Sequence, residues 1–396
     1  NYIKKYMQKS KIVRIATASI SIHLLLKGQL TFLRGKYEVI AVAGDENYLE
    51  EIRIRERVGT MHIPMLRKIS VLRDLNSLLQ MVRFFRTERP VLVHSITPKA
   101  GLITMLAARI TGVPVRMHTY TGLIFPYKKG ILQQLLIWMD RVTCICATSI
   151  YPEGNGVKQD LLRYKITSKP LKVLANGNVN GVDMDYFNAT SVEPNHITAA
   201  KQECQIKTGD TVFLFIGRLV KDKGVVELVK AFVELSEGDK KCKLILVGPL
   251  ESELDPLPAD ISAIIEIHPR IVWVGFKIDV RPYIVIADVL TFPSYREGFP
   301  NVPLQCGAFK KAMILSDVSG CNEIVTHQKS GLLVPPRSVG ELVQAMRELS
   351  ANPSLREEYG NKVYDFIHLN FQQEEVWKAI ENEYKEQISL LTKMNA

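Results

Sequence analysis

The chain is poor in cysteine and has none of the cysteine spacings that mark a metal site. Its 396 residues contain six cysteines, with no CxxC pair and no Cys/His cluster at zinc spacing. Cys144 and Cys146 lie two residues apart in a run that we predict to be a strand, so both thiols would face one side. We therefore expect reduced, structural thiols in a cytoplasmic protein.

Long apolar runs are also lacking. Residues 101–108 and 142–150 are the longest, and both are far shorter than the roughly 20 residues that cross a bilayer. No apolar signal segment follows the lysines near the start, because the next hydrophobic run is typical of a strand. We therefore predict neither a transmembrane helix nor secretion.

Acidic residues are scarce in the first half. Residues 1–186 hold 28 Lys and Arg against 13 Asp and Glu. This excess indicates nucleic acid, a phospholipid surface or a phosphate-bearing substrate as partner, unless it is merely a solvated basic surface. No RRM, KH, helix-turn-helix or zinc signature accompanies it, which argues against nucleic acid.

What the chain does have is a regular alternation of β-rich and helical segments. The predicted strands are 11–19, 37–44, 89–95, 113–121, 140–148, 210–217, 243–249, 270–275, 288–294, 311–317 and 331–335. The predicted helices are 72–86, 99–110, 222–236, 301–309, 338–349 and 372–394. This rhythm predicts parallel sheets wrapped by helices.

The length and the repeated rhythm predict two doubly wound α/β domains. We place the first at residues 1–186 and the second at 187–371, with a terminal helix, 372–396, that packs back towards the N-terminal domain. Open parallel sheets bind ligands at the carboxyl ends of their strands. Two such sheets facing each other would form a cleft, where we expect the chemistry.

The strongest chemical signal is FIGRLVKDKG, residues 215–224. A predicted strand ends here, Gly217 allows a tight turn, and Arg218 and Lys223 stand beside the start of the next helix. A guanidinium, an ammonium and free helix amides suit a diphosphate, although a surface turn with two solvated cations fits the spacing equally well. The chain has neither GxGxxG after its first strand nor GxxxxGK[ST], which disfavours ordinary dinucleotide and P-loop sites.

A second signal is PSYREGFPNVPLQCGAF, residues 293–309. Glu297 falls in a loop between a predicted strand and a helix, and Gln305 lies eight residues later. A carboxylate there can hydrogen-bond sugar hydroxyls or stabilise positive charge at an anomeric carbon.

Together these residues resemble the retaining glycosyltransferases of family 4, whose GT-B fold has two Rossmann-like domains. The motifs that carry the resemblance are GRLVKDKG, LVGP, VGF, EGFPNVPLQ, SGCNEIV and SGLLVPP, in the family's order. In the first half, SIHLLLKGQLTFL and HSITPKAG look like the subgroup that builds capsule, O-antigen or glycan intermediates on a polyprenyl diphosphate.

The resemblance implies roles for individual residues. Arg218 and Lys223 would hold the donor's diphosphate and stabilise the leaving nucleoside diphosphate in place of a metal ion. Glu297 would contact the donor sugar as the first Glu of the family's Glu-x7-Glu motif. The other donor-binding residues would be Gly217, Val274, Gly275, Phe276, Gly298, Phe299, Pro300, Asn301, Val302 and Gln305.

Two positions depart from the family pattern. Gln305 replaces the second Glu of the motif, so a charged contact to ribose becomes a neutral one. Thr121 stands where the family commonly has His, which leaves His118 as the catalytic candidate of the first half, unless it is a structural histidine. Gly28, Gln29, His94, Thr97 and Lys99 are candidates for the acceptor side.

Asp183 and Asp185 form a DxD in a turn at the proposed domain hinge, and we prefer loop capping to metal binding there.

The sequence therefore predicts a metal-independent retaining glycosyltransferase in bacterial surface polysaccharide biosynthesis. It would move a hexosyl or N-acetylhexosaminyl group from a nucleotide sugar, for which we expect a UDP-sugar, to a lipid-diphosphate-linked saccharide, without a cofactor. The basic half predicts peripheral contact with the anionic inner face of the cytoplasmic membrane. The alternatives are a UDP-sugar 2-epimerase of the same fold, a nucleic-acid binder, and a non-catalytic family member.

Overall fold

The computed structural model describes residues 9–394 except 67, 69 and 252–254. The chain forms two compact units. The first consists of two segments, the chain up to Asn180 and the chain from Glu374 onward, and the second is Gly181–Gln373. The division comes slightly earlier in the chain than the predicted boundary after residue 186. It assigns nearly all of the terminal helix to the first unit.

The first unit is built on six parallel strands in the order β3-β2-β1-β4-β5-β6. Their bounds are β1 Lys11–Ala16, β2 Glu38–Ala43, β3 Gly59–His62, β4 Leu92–Ser95, β5 Val115–Tyr120 and β6 Ser149–Pro152. In the central strand, Ile12 pairs with Val39 on one side and Leu92 on the other. A strand covered on both faces is expected to be almost wholly apolar, and β1 is so except for Lys11 at its start and the buried Arg14.

Helices cover both faces of this sheet. They are α1 Ser19–Leu25, α2 Gln29–Arg34, α3 Leu49–Glu56, α4 Val71–Glu88, α5 Pro98–Thr111, α6 Gly130–Cys146, α7 Asn155–Arg163 and, at the end of the chain, α16 Gln373–Met394. The helix α16 buries Val376, Ile380 and Tyr384 in the core over one face. Among the described residues, no helix has both the length and the apolar composition to cross a bilayer.

The second unit repeats the plan with the order β12-β11-β10-β7-β8-β9. Its strands are β7 Thr211–Ile216, β8 Cys242–Val247, β9 Ile271–Trp273, β10 Val289–Phe292, β11 Ala312–Ser316 and β12 Leu332–Val334. Its helices are α8 Pro194–Glu203, α9 Val225–Gly238, α10 Ala259–Ile267, α11 Arg281–Ile286, α12 Asn301–Ala308, α13 Cys321–Ile324, α14 Val339–Ala351 and α15 Pro353–Asn370. Two doubly wound parallel sheets confirm the predicted fold class.

One predicted strand is wrong. Residues 140–148 belong mainly to the long helix α6, and the strand β6 begins only at Ser149. Its β-branched residues Val142, Thr143 and Ile145 favour a strand locally, but the segment continues the helix that begins at Gly130. Cys144 and Cys146 therefore lie on a helix rather than on one strand face, and all six cysteines are free and buried.

A buried polar network ties α16 to the first sheet. The Arg14 guanidinium donates to the Tyr384 hydroxyl at 2.8 Å and to Gln29 Oε1 at 2.6 Å. The hydroxyl lies 2.7 Å from His94 Nδ1, and His94 Nε2 lies 2.7 Å from Thr119 Oγ1. Burial holds the pKa of His94 well below its ordinary value and raises that of Tyr384 to about 12. The hydroxyl thus donates to a neutral His94.

Replacing Tyr384 by Phe should lower the free energy of unfolding by about 1–3 kcal/mol, because a buried cation and a buried imidazole each lose a partner. Tyr37→Phe is the matched control. Tyr37 packs edge-on against Tyr384, and its hydroxyl makes no hydrogen bond within the described residues. Urea unfolding measures both variants. Equal stability of the two would show that the network contributes nothing.

Candidate functional site

The second sheet has one point where the order of its strands reverses. From β7 the chain adds β8 and β9 on one side, then returns to place β10 and β11 on the other. The loops that leave β7 and β10 therefore lie at the carboxyl end of the sheet at its strand-reversal point, the position where open α/β sheets bind ligands. Both chemical motifs of the second half lie in these two loops.

The loop after β7 carries the two predicted cations. A Cβ on Gly248 would lie 1.8 Å from the carbonyl oxygen of Gly217. The loops after β7 and β8 therefore pack backbone against backbone, with no room for a side chain at Gly248. The Arg218 guanidinium, partly exposed, forms an ion pair with Glu251. Lys223 ends a 3₁₀ turn, and the left-handed Gly224 starts α9.

Lys223 also connects this loop to the next motif. Its ammonium forms an ion pair with the Glu297 carboxylate, and both side chains are mostly buried. The same ammonium lies 5.3 Å from the ring centroid of Phe292 at the end of β10, a cation–π distance. The structure thus brings together two residues 74 positions apart, Lys223 and Glu297, as the two motifs require.

Neighbouring side chains hold the two loops in register. Asp222 accepts from Arg296 Nε and Nη2 at 2.9 and 2.8 Å, and its carbonyl oxygen accepts from the Tyr295 amide at 2.8 Å. The Tyr295 hydroxyl donates to Glu227 at 2.7 Å. These residues, with Glu251, were missed by the sequence reading, because no local pattern indicates a partner tens of residues away.

The segment after Glu297 leads into α12. Gly320 adopts φ 78°, and a Cβ there would lie 2.2 Å from the carbonyl oxygen of Gly298. Phe299 is buried and packs on Phe371 at a centroid distance of 5.1 Å. The helix then begins at Asn301, and Gln305 is half-buried one turn later. Pro300 is the N-cap of α12, and Val302 lies in its first turn.

The predicted base-contacting residues follow β9. The Gly275 carbonyl accepts from the Gly248 amide at 2.8 Å, and Trp273 Nε1 donates to the Gly248 carbonyl at 2.8 Å. Val274 is half-buried, whereas the Phe276 side chain is exposed. This segment therefore borders the loop after β8 on the same carboxyl edge as Arg218.

Beneath the ion pair lies a thiol that stays neutral. Cys321 is fully buried at the start of α13, and burial, together with the nearby negative charge of Glu297, raises its pKa well above the ordinary value.

In the first unit, the predicted residues of the loop after β4 have partners within the fold. Thr97 Oγ1 lies 2.7 Å from Thr17 Oγ1 and accepts from the Thr17 amide at 2.8 Å. The Lys99 ammonium, almost buried, donates to both oxygens of Asp74 at 2.7 and 2.6 Å. The bonds between Thr17 and Thr97 join the carboxyl ends of β1 and β4, the point of strand reversal in this sheet, and the Lys99–Asp74 pair joins α5 to α4.

Gly28 and Gln29 open the helix α2. Gly28 has φ 79° and donates its amide to Glu56 at 3.0 Å. Gln29 is fully buried, accepts from Arg14, and donates to the Val179 carbonyl at 2.8 Å. With His94 in the same network, these residues shape the fold, and their contact with an acceptor stays a prediction.

His118 is buried on β5. Its Nδ1 lies 2.8 Å from Ser95 Oγ, its Nε2 has no partner among the described residues, and Gly101 leaves room for the ring. Burial lowers its pKa to about 3, so the imidazole is neutral. A catalytic role for His118 stays a prediction.

The DxD turn forms the cap that its sequence predicts. Asp183 Oδ1 accepts from the amides of Asp185 and Tyr186 at 3.1 and 2.9 Å.

Two family descriptions match the chain. "Glycosyl transferase 4-like domain" covers residues 32–177, and "Glycosyl transferases group 1" covers residues 196–366. The two matches correspond to the two units and together span most of the chain.

The chain is also similar to individual proteins. It is 29% identical over 379 residues to the capsular polysaccharide biosynthesis glycosyltransferase CapM of Staphylococcus aureus, covering 96% of this chain and 97% of CapM. It is 24% identical to the UDP-Gal:alpha-D-GlcNAc-diphosphoundecaprenol alpha-1,3-galactosyltransferase of Escherichia coli, covering 74% of each. The fold matches the crystal structure of Anabaena HepE in complex with UDP-glucose, with a TM-score of 0.79 at 16% identity over 95% of this chain and 99% of HepE.

Replacing Gly224 by Ala should open the contact between the loops after β7 and β10. Its φ is 70°, and a Cβ would lie 2.0 Å from the Pro293 carbonyl oxygen. Gly275→Ala is the matched control, because Gly275 has φ 72° and open space around it. In urea unfolding, the control should lower the free energy of unfolding by about 1 kcal/mol, because alanine is strained in the left-handed conformation. Gly224→Ala should lower it clearly more, because of the added clash with Pro293. Equal losses would contradict the close approach.

Proposed function

Because the chain is a glycosyltransferase with the GT-B fold, we propose that it transfers a hexosyl or N-acetylhexosaminyl group from a nucleotide sugar, chiefly a UDP-sugar. The acceptor is a hydroxyl of a lipid-diphosphate-linked saccharide in bacterial surface polysaccharide biosynthesis. One observation carries the proposal: Arg218 and Lys223 lie at the strand-reversal point of the second sheet, each paired with a carboxylate. The similarity to CapM supports the assignment to polysaccharide biosynthesis, and the similarity to the Escherichia coli galactosyltransferase supports a UDP-sugar donor and a lipid-diphosphate-linked acceptor.

The donor diphosphate takes the place of protein carboxylates as the partner of both cations. Without a donor, Glu251 and Glu297 provide the negative charge beside Arg218 and Lys223. A guanidinium binds phosphate oxygens with two parallel hydrogen bonds, and an ammonium adds a point charge. The two cations then stabilise the negative charge that develops on the leaving nucleoside diphosphate. On this proposal no metal ion or other cofactor is needed.

Glu297 and the residues after it bind the donor sugar. When Lys223 turns to the diphosphate, the Glu297 carboxylate is released to accept hydrogen bonds from sugar hydroxyls. The amides of Gly298, Phe299 and Asn301 face the sugar and phosphate at the start of α12, where the helix dipole favours negative charge, whereas Pro300 between them has no amide hydrogen to donate. Gln305 offers ribose an uncharged acceptor, and Val274 to Phe276 contact the base.

The transfer retains the anomeric configuration. The acceptor hydroxyl attacks from the face that the diphosphate leaves, its oxygen bonds to the anomeric carbon as the bond to the diphosphate breaks, and a diphosphate oxygen takes its proton. This scheme needs no protein nucleophile. The retention itself comes from the family resemblance. The first unit provides the acceptor side, with Gly28, Gln29, His94, Thr97 and Lys99 as its candidates and His118 as the catalytic one.

Nucleotide binding tests the two cations directly. UDP at 100 times its dissociation constant should stabilise the protein by about 2.7 kcal/mol, which thermal unfolding detects. Arg218→Ala and Lys223→Ala should each remove most of this gain. The controls are Arg347→Ala and Lys362→Ala, which break exposed ion pairs with Glu234 and Glu358. Undiminished stabilisation in both site variants would refute the diphosphate assignment.

Transfer itself is tested with a panel of nucleotide sugars and a polyprenyl-diphosphate-linked saccharide. We expect one donor to give a glycosylated product with the donor's anomeric configuration, which NMR reports, and an undiminished rate in EDTA. Glu297→Gln should lower kcat by about 10²–10³-fold, as expected when a charged contact in the transition state is lost. Conversion of UDP-N-acetylglucosamine without any acceptor would instead identify an epimerase.

A further inference from the structure

The first unit exposes an apolar surface that its own fold does not need. It consists of exposed apolar residues on two helices, three on α4 and three on α6, and we call these six residues together the apolar ridge: Leu72, Leu75, Leu79, Ile131, Leu135 and Trp138. Ile131 is 90% exposed, Leu72 82% and Trp138 61%. The helix α5 packs between α4 and α6, so both parts of the ridge belong to one layer of helices.

The helix α6 is apolar on both its faces. Its inner face buries Ile137 and Cys144 in the core, as a surface helix must. Its outer face should be polar, but Ile131, Leu135 and Trp138 recur there at helical spacing and are exposed. Between residues 130 and 139 there is no charged side chain. An apolar stripe on the solvent side of a helix indicates a surface that a partner covers.

Cations lie beside the ridge on both helices. Lys128 and Lys129 immediately precede α6, Arg141 follows its apolar half, and Lys68 and Arg73 stand at the start of α4, all exposed. Positive charge before a helix start opposes the helix dipole, and the first turn of α6 has no acidic residue to offset it. The two lysines therefore do not serve the stability of α6.

Negative charge near the ridge is largely neutralised. Asp74, in the first turn of α4, is held by the Lys99 ammonium. Burial raises the pKa of Asp140 to about 7, so at neutral pH it carries only part of a charge. The ridge is thus an apolar surface with a positive border. A second copy of the chain would place like charges against each other across a symmetric contact, whereas an anionic bilayer complements both properties.

We propose that the apolar ridge docks the protein on an anionic phospholipid bilayer, with its side chains among the acyl chains and its cations at the headgroups. In a parallel sheet, each helix starts at the carboxyl end of the strand before it, so α4 and α6 begin on the edge where β1 and β4 end. A bilayer bound there lies beside Thr17 and Thr97. That this brings a lipid-linked acceptor to the enzyme rests on the proposed function.

Vesicle flotation of the full chain tests the docking. We expect it to float with vesicles of phosphatidylcholine and phosphatidylglycerol at low salt, far less with phosphatidylcholine alone, and less as salt is raised. Lys128→Gln with Lys129→Gln should weaken the partition coefficient about 30-fold. Ile131→Gln with Leu135→Gln should weaken it at least 10-fold.

The second unit offers matched controls. Lys240 and Lys241 are also adjacent and exposed, and Ile267 is 78% exposed. Lys240→Gln with Lys241→Gln, and Ile267→Gln, should leave flotation unchanged. Trp138 fluorescence should shift to the blue on binding, and Trp138→Phe should abolish that shift. The ridge residues face solvent, so circular dichroism should show every variant folded.

Three results would overturn the docking proposal. The first is wild-type protein that stays at the bottom of the gradient with mixed vesicles at low salt. The second is equal binding by the ridge variants and their controls. The third is a dimer that Ile131→Gln with Leu135→Gln converts to monomer without any vesicle binding, which would make the ridge a contact between copies.

Flotation needs neither donor nor acceptor, so it is independent of the proposed function. If flotation behaves as expected but no nucleotide sugar is used, the proposed function fails alone. If transfer to a short-chain, water-dispersed acceptor proceeds normally but flotation fails, only the docking is refuted. Lys128→Gln with Lys129→Gln should keep the wild-type rate with that acceptor and lose rate with acceptor embedded in mixed vesicles.

Discussion

The ion pair between Lys223 and Glu297 is the contact on which the second unit's site depends. It joins the loops on either side of the strand reversal, where no strand hydrogen bonds can reach. Removing two charges from water is costly, and the Phe292 ring and the bare backbone around Gly224 make the close arrangement possible. On the proposed function, an incoming diphosphate would exchange with a carboxylate in a site that is already formed, so little reorganisation would be needed.

The fold was largely predictable because parallel strands buried on both faces need continuous apolar runs. The segments around β7 and β8 have such runs, β1 has one that only Arg14 interrupts, and the structure confirms all three strands with ends shifted by a few residues. The end of α6, residues 140–146, was mistaken for a strand, because its β-branched residues Val142, Thr143 and Ile145 favour a strand locally and the packing of the whole helix overrides that preference. The short edge strand β3, with exposed Gly59, has no such run and was missed.

The site was predictable where its chemistry is local in sequence. Gly217, Arg218 and Lys223 follow one strand within a few residues, and Glu297 follows another. The partners were not predictable: Glu251 and Asp222 reach their cations only through the sheet topology. The same limit applies in the first unit, where Lys99 suggests an anion site by its position but is neutralised by Asp74 from the preceding helix. Sequence thus indicates the groups, while topology decides which of them stay available.

The first unit is discontinuous in the chain, since Val376, Ile380 and Tyr384 complete a core begun at residue 11. During synthesis on the ribosome, all residues of the second unit are complete before the last segment of the first unit has been made. Until α16 has been synthesised, Arg14 and His94 lack the Tyr384 hydroxyl to which both are hydrogen-bonded in the folded protein. Synthesis order and folding order therefore differ, and a nascent chain that stops short of α16 leaves an apolar face of the first sheet open to chaperones or to neighbouring chains.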